Sequence, residues 1–188
     1  TAVLAERRLL DVEPGNTEAD AFAVALDIGK TTLVAALLDL GTGSEWALGA
    51  RLNPQTRFGD DVLSRILHAR QDPDGLRQLQ EAIARAVDEM IGELCSQAGI
   101  PRERIYAIAF AGNTTMQQLL CGVDTSSLVE VPFAPATGHA LTFAAAELGL
   151  HIHPRGSAYV MPVIGGFVGG DTVAGILATG MAEADAPT

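Results

Sequence analysis

The chain has 188 residues, of which 48% are hydrophobic and 19% charged, and it carries a formal net charge of −11. This supplies enough apolar material for a real core. The negative field argues against nucleic acid or an anionic membrane as a partner, and leaves phosphate binding only to local backbone amides and a metal ion.

Thr1 to Asp20 alternates short apolar groups with Glu, Arg, Pro14 and Gly15, and reads as a linker, the end of a preceding domain, or one stray strand. From Ala21 the pattern changes. Ala21 to Leu26 is a short apolar run stopped by Asp27-Ile28-Gly29. Leu33 to Leu38 follows, then Gly41-Thr42-Gly43, and Glu45 to Leu52 supplies a third strand before Asn53-Pro54 breaks the pairing. Val62, Ile66 and Ala69 then share a helical face behind Asp60 and Asp61, which suit a cap and a first turn. A longer helix from about Asp74 to Ala98 spaces Leu76, Leu79, Ile83, Val87, Met90, Ile91 and Leu94 by threes and fours, and Gly99 ends it.

Ile105 to Ala111 is apolar throughout, as in a strand covered on both faces. Gly112-Asn113-Thr114-Thr115 opens a short helix to Leu120. Gly122 to Pro154 is loop-rich, with one helix expected at Thr142 to Leu148. A last strand, Ala158 to Ile164, runs into Gly165-Gly166-Phe167-Val168-Gly169-Gly170-Asp171, and a closing helix spans Thr172 to Met181.

Cys95 and Cys121 lie far apart, with no CxxC spacing and no paired histidines nearby. They read as small buried hydrophobes in a reducing compartment rather than as zinc or iron–sulfur ligands. The apolar runs are far shorter than the ~20 residues of a membrane-spanning helix, so a soluble, cytoplasmic protein is expected. Thr1 at the start and the polar tail from Glu183 to Thr188 suggest cuts within a longer protein.

Three segments carry candidate chemistry. In Asp27-Ile28-Gly29-Lys30-Thr31-Thr32, placed between two strands, an acid suits a magnesium ion held through water, a glycine admits close backbone approach, and two threonines offer donors. Gly29-Lys30-Thr31 imitates the end of a P-loop, but Val24 and Ala25 stand where the earlier glycine belongs, and a strand follows where a helix should. An ordinary hairpin turn would use the same residues.

Gly112, Asn113 and Thr114 lie where a strand end meets a helix start, so their amides either face a cleft or are simply capped. Gly165 to Asp171 holds four glycines in six residues, and there Asp171 is a cleft acid or an N-cap. Ala174, Gly175, Ala178 and Gly180 leave the last helix thin, as for close packing by a neighbouring helix. Arg51, Arg57 and Arg65 form an anion patch or are solvated near acids. His68, His139, His151 and His153 read as surface residues.

Together, Ala25 to Thr32, Leu52-Asn53-Pro54-Gln55-Thr56-Arg57-Phe58-Gly59-Asp60-Asp61-Val62, Ala111 to Met116 and Ile164 to Asp171 resemble, in order and spacing, the ATPase domain of the reductive activators of corrinoid proteins. The resemblance spans roughly Ala21 to Asp185. It implies a ribonuclease-H-like, actin-like α/β fold with a five-stranded mixed sheet, its first three strands antiparallel and helices on both faces, forming the first half of an ATPase domain over residues 21–188.

It also implies a parent protein with a two-iron two-sulfur ferredoxin domain before Thr1, using ATP to return an inactive cobalt(II) corrinoid protein of a methyltransferase system to cobalt(I). By the same resemblance, Asp27 lies near magnesium and Gly29, Thr31 and Thr32 near phosphate, with Lys30 where the family usually carries threonine. The resemblance also places the closing helix at the hinge, while from their positions in the chain Gly112, Asn113, Thr114, Gly165 and Gly166 are expected to join the Mg-ATP site and Asp171 to join Asp27 as a catalytic acid. The second phosphate motif and the adenosine segment are expected beyond Thr188, so the partners are the missing second half and the corrinoid protein, and the isolated chain is expected to be almost inactive. Other readings are a small-molecule kinase of the actin-like superfamily with Asp171 as base, a non-catalytic interaction module, and a homodimer through Ala174, Gly175 and Ala178.

Overall fold

The computed structural model describes residues 1–5 and 8–183; the tail read at 184–188 lies outside the described residues. Its centre is a six-stranded sheet in the order β5-β4-β3-β6-β8-β7, built from β3 (Phe22–Ile28), β4 (Thr32–Asp39), β5 (Glu45–Leu52), β6 (Ile105–Gly112), β7 (Leu141–Ala144) and β8 (Ser157–Val160). β3, β4 and β5 run antiparallel as two successive hairpins, while β6 and β8 run parallel to β3. That is the ribonuclease-H-like arrangement the sequence led us to expect.

The sixth strand is a correction. β7 pairs antiparallel with β8 at the sheet's edge, where a helix from Thr142 to Leu148 was expected. Leu141 and Phe143 alternate with exposed neighbours and pack toward the core, and only Ala145–Leu148 coils, as a single 3-10 turn closed by Gly149 at φ 73°. Pairing with β8 outweighs the helical preference of the Ala- and Glu-rich run. β8 also stops at Val160, short of the expected Ile164, because Pro162 cannot donate to a ladder.

Alternation along the strands decides the packing. Val24, Leu26 and Ile28 of β3, Leu33, Ala35 and Leu37 of β4, and Ile108 and Phe110 of β6 all point to one side. There they meet α2 (Gly75–Ala98), whose Leu79, Ile83, Val87, Ile91 and Leu94 are fully buried. α2 ends at Gly99 in the left-handed conformation, φ 68°, as a glycine permits. α1 (Val62–Gln71) starts at Asp61, which forms a capping box with Ser64, and packs on α2 with α3 (Thr114–Leu120). Among the described residues, α4 (Gly170–Thr179) lies on the opposite face, against β6.

The segment before the sheet, read as a linker, the end of a preceding domain or one stray strand, carries two strands among the described residues. β1 (Ala2–Ala5) and β2 (Arg8–Val12) form their own hairpin. It is fastened by Glu13, which accepts from Arg104, Tyr106 and Thr17, and by Asp11, 3.1 Å from the ring Nε2 of His153. These donors hold the Glu13 carboxyl at a pKa of about 2, with the Thr17 and Tyr106 hydroxyls contributing most. His153, expected at the surface, is buried beside the Tyr106 ring. Cys95 and Cys121 are free thiols, and burial pushes Cys121 up to about 11. No helix among the described residues is long and apolar enough to cross a membrane.

Candidate phosphate-binding edge

Three of the four motifs converge because β3, β6 and β8 are parallel and expose their C-terminal ends on one edge. Ile28 lies beside Gly112 and Asp27 beside Ala111 in the β3–β6 register. The turn Gly29-Lys30-Thr31, the start of α3 and the loop that follows β8 therefore share that edge, where ligands of open α/β sheets are bound.

The turn is tight. A side chain on Gly29 would place Cβ 2.4 Å from the Thr32 carbonyl oxygen, so glycine is required by space and not by φ. Lys30, Thr31 and Thr32 are exposed. Behind them, Asn53 Nδ2 donates to the Gly29 carbonyl at 2.8 Å, Arg65 Nη2 to the Lys30 carbonyl at 2.6 Å, and the Asn53 amide to the Thr31 carbonyl at 2.8 Å. Asn53 comes from the Leu52–Val62 motif and Arg65 from α1 just beyond it, and both are fully buried.

The second segment serves the protein itself. Asn113 caps α3 by accepting from the Met116 amide at 3.1 Å, and Thr114, almost wholly buried, donates its hydroxyl to the Gly165 carbonyl at 2.7 Å. Gly112 sits against Ile28, where Cβ would fall 2.9 Å from that residue's carbonyl oxygen. Two glycines of the third segment, Gly166 and Gly169, are likewise explained by close backbone approach, whereas a Cβ on Gly165 would meet open space. A Cβ on Gly166 would meet the Phe133 carbonyl oxygen at 2.1 Å, and one on Gly169 the Asn113 Cα at 2.5 Å. Gln117 then spans the gap, accepting from the Gly170 amide at 2.9 Å and donating to the Met161 carbonyl at 2.7 Å. Segments two and three are thus locked together as one wall.

Two acids stand at this edge. Asp171 is not the N-cap of α4; Gly169 holds that place, and Asp171 lies in the exposed first turn, accepting from the Thr172 amide. Asp27 is open to solvent, yet the groups packed about its carboxyl raise its pKa, and the nearby Asp171 charge raises it further. Beneath them a cleft of ≈ 310 Å³ is floored by Ala25, Asp27, Ala36, Ala109 and Ala111, with Ala174 of α4 as its roof.

The three arginines do not form a patch. Arg51 pairs with Glu89 and Glu93 of α2. Arg57 stacks on Phe58, and Arg65 is enclosed. Sequence reasoning missed Asn53 and Arg65 as parts of the site. Asn53 did carry a signal, since Asn before Pro after a strand suits a cap, and it caps the 3-10 turn Pro54–Phe58. Arg65 was marked only as a member of an anion patch or a solvated residue, not as a buried one.

Comparison with known proteins identifies relatives of this chain. The chain is 35% identical over 176 residues to "Corrinoid activation enzyme RamQ" of Eubacterium limosum, covering 93% of this chain and 30% of that protein. It superimposes with a TM-score of 0.90 and 36% identity on a solved "Reductive activator for corrinoid,iron-sulfur protein", over 94% of this chain and 28% of that one. The chain therefore spans under a third of the length of either relative. Residues 22–184 match the family described as the RACo middle region, and the chain belongs to that family.

Proposed function

We propose that residues 21–188 are the first half of an actin-like ATPase domain within a longer protein that reductively activates a corrinoid protein. The observation that carries this reading is the meeting of the Gly29–Thr31 turn with two acids, Asp27 and Asp171, at one sheet edge. Its context is a family whose solved relative is described as a reductive activator for a corrinoid, iron–sulfur protein.

In this reading Gly29, Lys30, Thr31 and Thr32 receive the phosphates with backbone amides, hydroxyls and the Lys30 ammonium. Gly112, Asn113, Thr114, Gly165 and Gly166 form the wall that fixes the turn's neighbour. Asp27 and Asp171 are the acids available to a magnesium ion. Two like charges, one of them with a raised pKa, fit a cation placed between them. Among the described residues no group of three or more His, Cys, Asp or Glu is placed to hold a metal, which suits an ion that keeps most of its ligands as water and phosphate oxygen. When bound, magnesium supplies charge neutralisation at the phosphates.

A two-iron two-sulfur cluster in another domain of the longer protein would supply the electron that takes cobalt(II) to cobalt(I), and would itself be oxidised by one electron. The remaining protein partners are the second half of the ATPase domain and the corrinoid protein.

Calorimetric titration of Mg-ATP into the full-length protein and into this chain, side by side, tests the proposal. Binding to the former and little or none by the latter is expected, because charge stabilisation is needed from both sides of the phosphates. ATP-dependent reduction of the corrinoid, followed by its cobalt(I) absorbance, should then accompany the full-length protein only. Reduction that proceeds equally without ATP would overturn the assignment.

A further inference from the structure

Three consecutive carbonyls of the turn, those of Gly29, Lys30 and Thr31, are each captured from the protein interior, at 2.8, 2.6 and 2.8 Å. Every peptide bond here is trans, so a carbonyl pulled inward sends the N–H of the next residue outward. The amides of Lys30 and Thr31 make no hydrogen bond to protein among the described residues. The result is a pair of unpaired donors facing away from the core.

The device behind them is costly for a mere brace. Arg65 is 0% exposed, with Nε donating to the Gly59 carbonyl at 2.9 Å and Nη1 directed at the Met116 sulfur at 3.1 Å. No carboxylate among the described residues lies within ion-pair distance of it. Burying a guanidinium without a paired anion is expensive, and a neutral amide would satisfy one carbonyl at less cost. What a buried cation adds is a fixed positive charge behind a turn whose front presents amide donors, and that combination favours an anion in front. Asn53 completes the clamp, its Oδ1 accepting from the Gln55 amide at 2.9 Å, which fixes the amide group's orientation.

We propose that Arg65 and Asn53 are positioning residues that hold the Gly29–Thr31 turn from behind, so that the Lys30 and Thr31 amides stay aimed at a bound phosphate. The phosphate in this statement rests on the nucleotide reading above.

The test uses full-length protein carrying Arg65→Lys, which keeps the charge but loses the fork, and Asn53→Asp, which keeps the cap acceptor but loses the donor to Gly29. Hydrogen exchange over Asp27–Val34 in nucleotide-free protein should rise about tenfold in either variant while exchange in α2 is unchanged, as expected for loss of one local clamp. Mg-ATP affinity should fall about tenfold, with KM for ATP rising more than kcat falls. A role confined to general stability would instead speed exchange in α2 as well. Unchanged exchange over Asp27–Val34 together with wild-type affinity in both variants overturns the assignment. A wild type that binds no Mg-ATP overturns the nucleotide reading and with it the aim of the amides; the exchange measurement then separately decides whether Arg65 braces the turn.

Discussion

The two faces of the central sheet are made by alternate residues of the same strands, yet they have opposite characters. On β3, Phe22, Val24, Leu26 and Ile28 are 2% exposed or less, while Ala23, Ala25 and Asp27 between them are half-buried or open. On β6, Ile108 and Phe110 are sealed and the intervening Ala107, Ala109 and Ala111 are not. The large residues lie under α2, a 24-residue helix with ten buried positions; the small ones face α4, where Gly170 alone is buried. One face supplies the hydrophobic stabilisation of the unit. The other is kept thin and open, and it is the face that can carry a carboxylate, Asp27, and a cleft.

If that division holds, damage on the two faces should differ in size and in kind. Truncation on the sealed face is the largest effect: Phe110→Ala removes a fully buried ring between β3 and β8 and should cost about 3–5 kcal/mol in chemical denaturation. A loss under about 1 kcal/mol would mean that the face is not the closed core described here.

Next in size is the edge where the two faces meet. Gly29→Ala drives Cβ into the Thr32 carbonyl oxygen, at 2.4 Å. Relief requires the turn to shift against its clamp of Asn53 and Arg65, for an expected loss of about 1–3 kcal/mol in stability. Mg-ATP binding by the full-length protein should fall disproportionately, by more than about tenfold, since the turn's amides move with the backbone. Equal binding by Gly29→Ala and wild type would detach the turn from the ligand.

The sealed face was legible in the sequence because its signals are local. Short apolar runs stopped by turn residues mark β3 and β4, threes and fours mark α2, and Gly99 ends the helix where it should. Motif order also placed the candidate site, since parallel strands necessarily bring their C-terminal ends together. What escaped was set by contacts distant in sequence. β7 reads as helix by composition and becomes a strand only because β8 offers an edge. The anchoring of the β1–β2 hairpin was not legible because the donors to Glu13, Arg104 and Tyr106, lie more than 90 residues away. Arg65, on a helix beside Asp60 and Asp61, has every local mark of a solvated residue. Its burial depends on Gly59, Met116 and the turn at Lys30 closing over it. Gly166, Gly169 and Gly170 were legible as close approach, but their neighbours Phe133, Asn113 and Gln117 were not, and Gly165 meets open space.

The smallest effect is the most diagnostic of the open face. Asp27 resists ionisation in the folded protein, first because of the atoms packed about its carboxyl and then because of Asp171. Below its ordinary pKa of 3.8 the group is protonated in both folded and unfolded chains, and it contributes no pH dependence. As pH rises through the raised folded value, the unfolded chain ionises more readily than the folded one, so the native state loses stability and the loss then levels off. Asp27→Asn removes that penalty. The variant should be slightly more stable than wild type at pH 7, by less than about 0.5 kcal/mol because solvent screens the site, and the gain should vanish below pH 3.8. Mg-ATP affinity of the full-length protein should move the other way, since the cation loses a carboxylate. A buried structural acid would give stability and affinity losses together; a gain in one with a loss in the other is the mark of a face that sacrifices stability for its ligand.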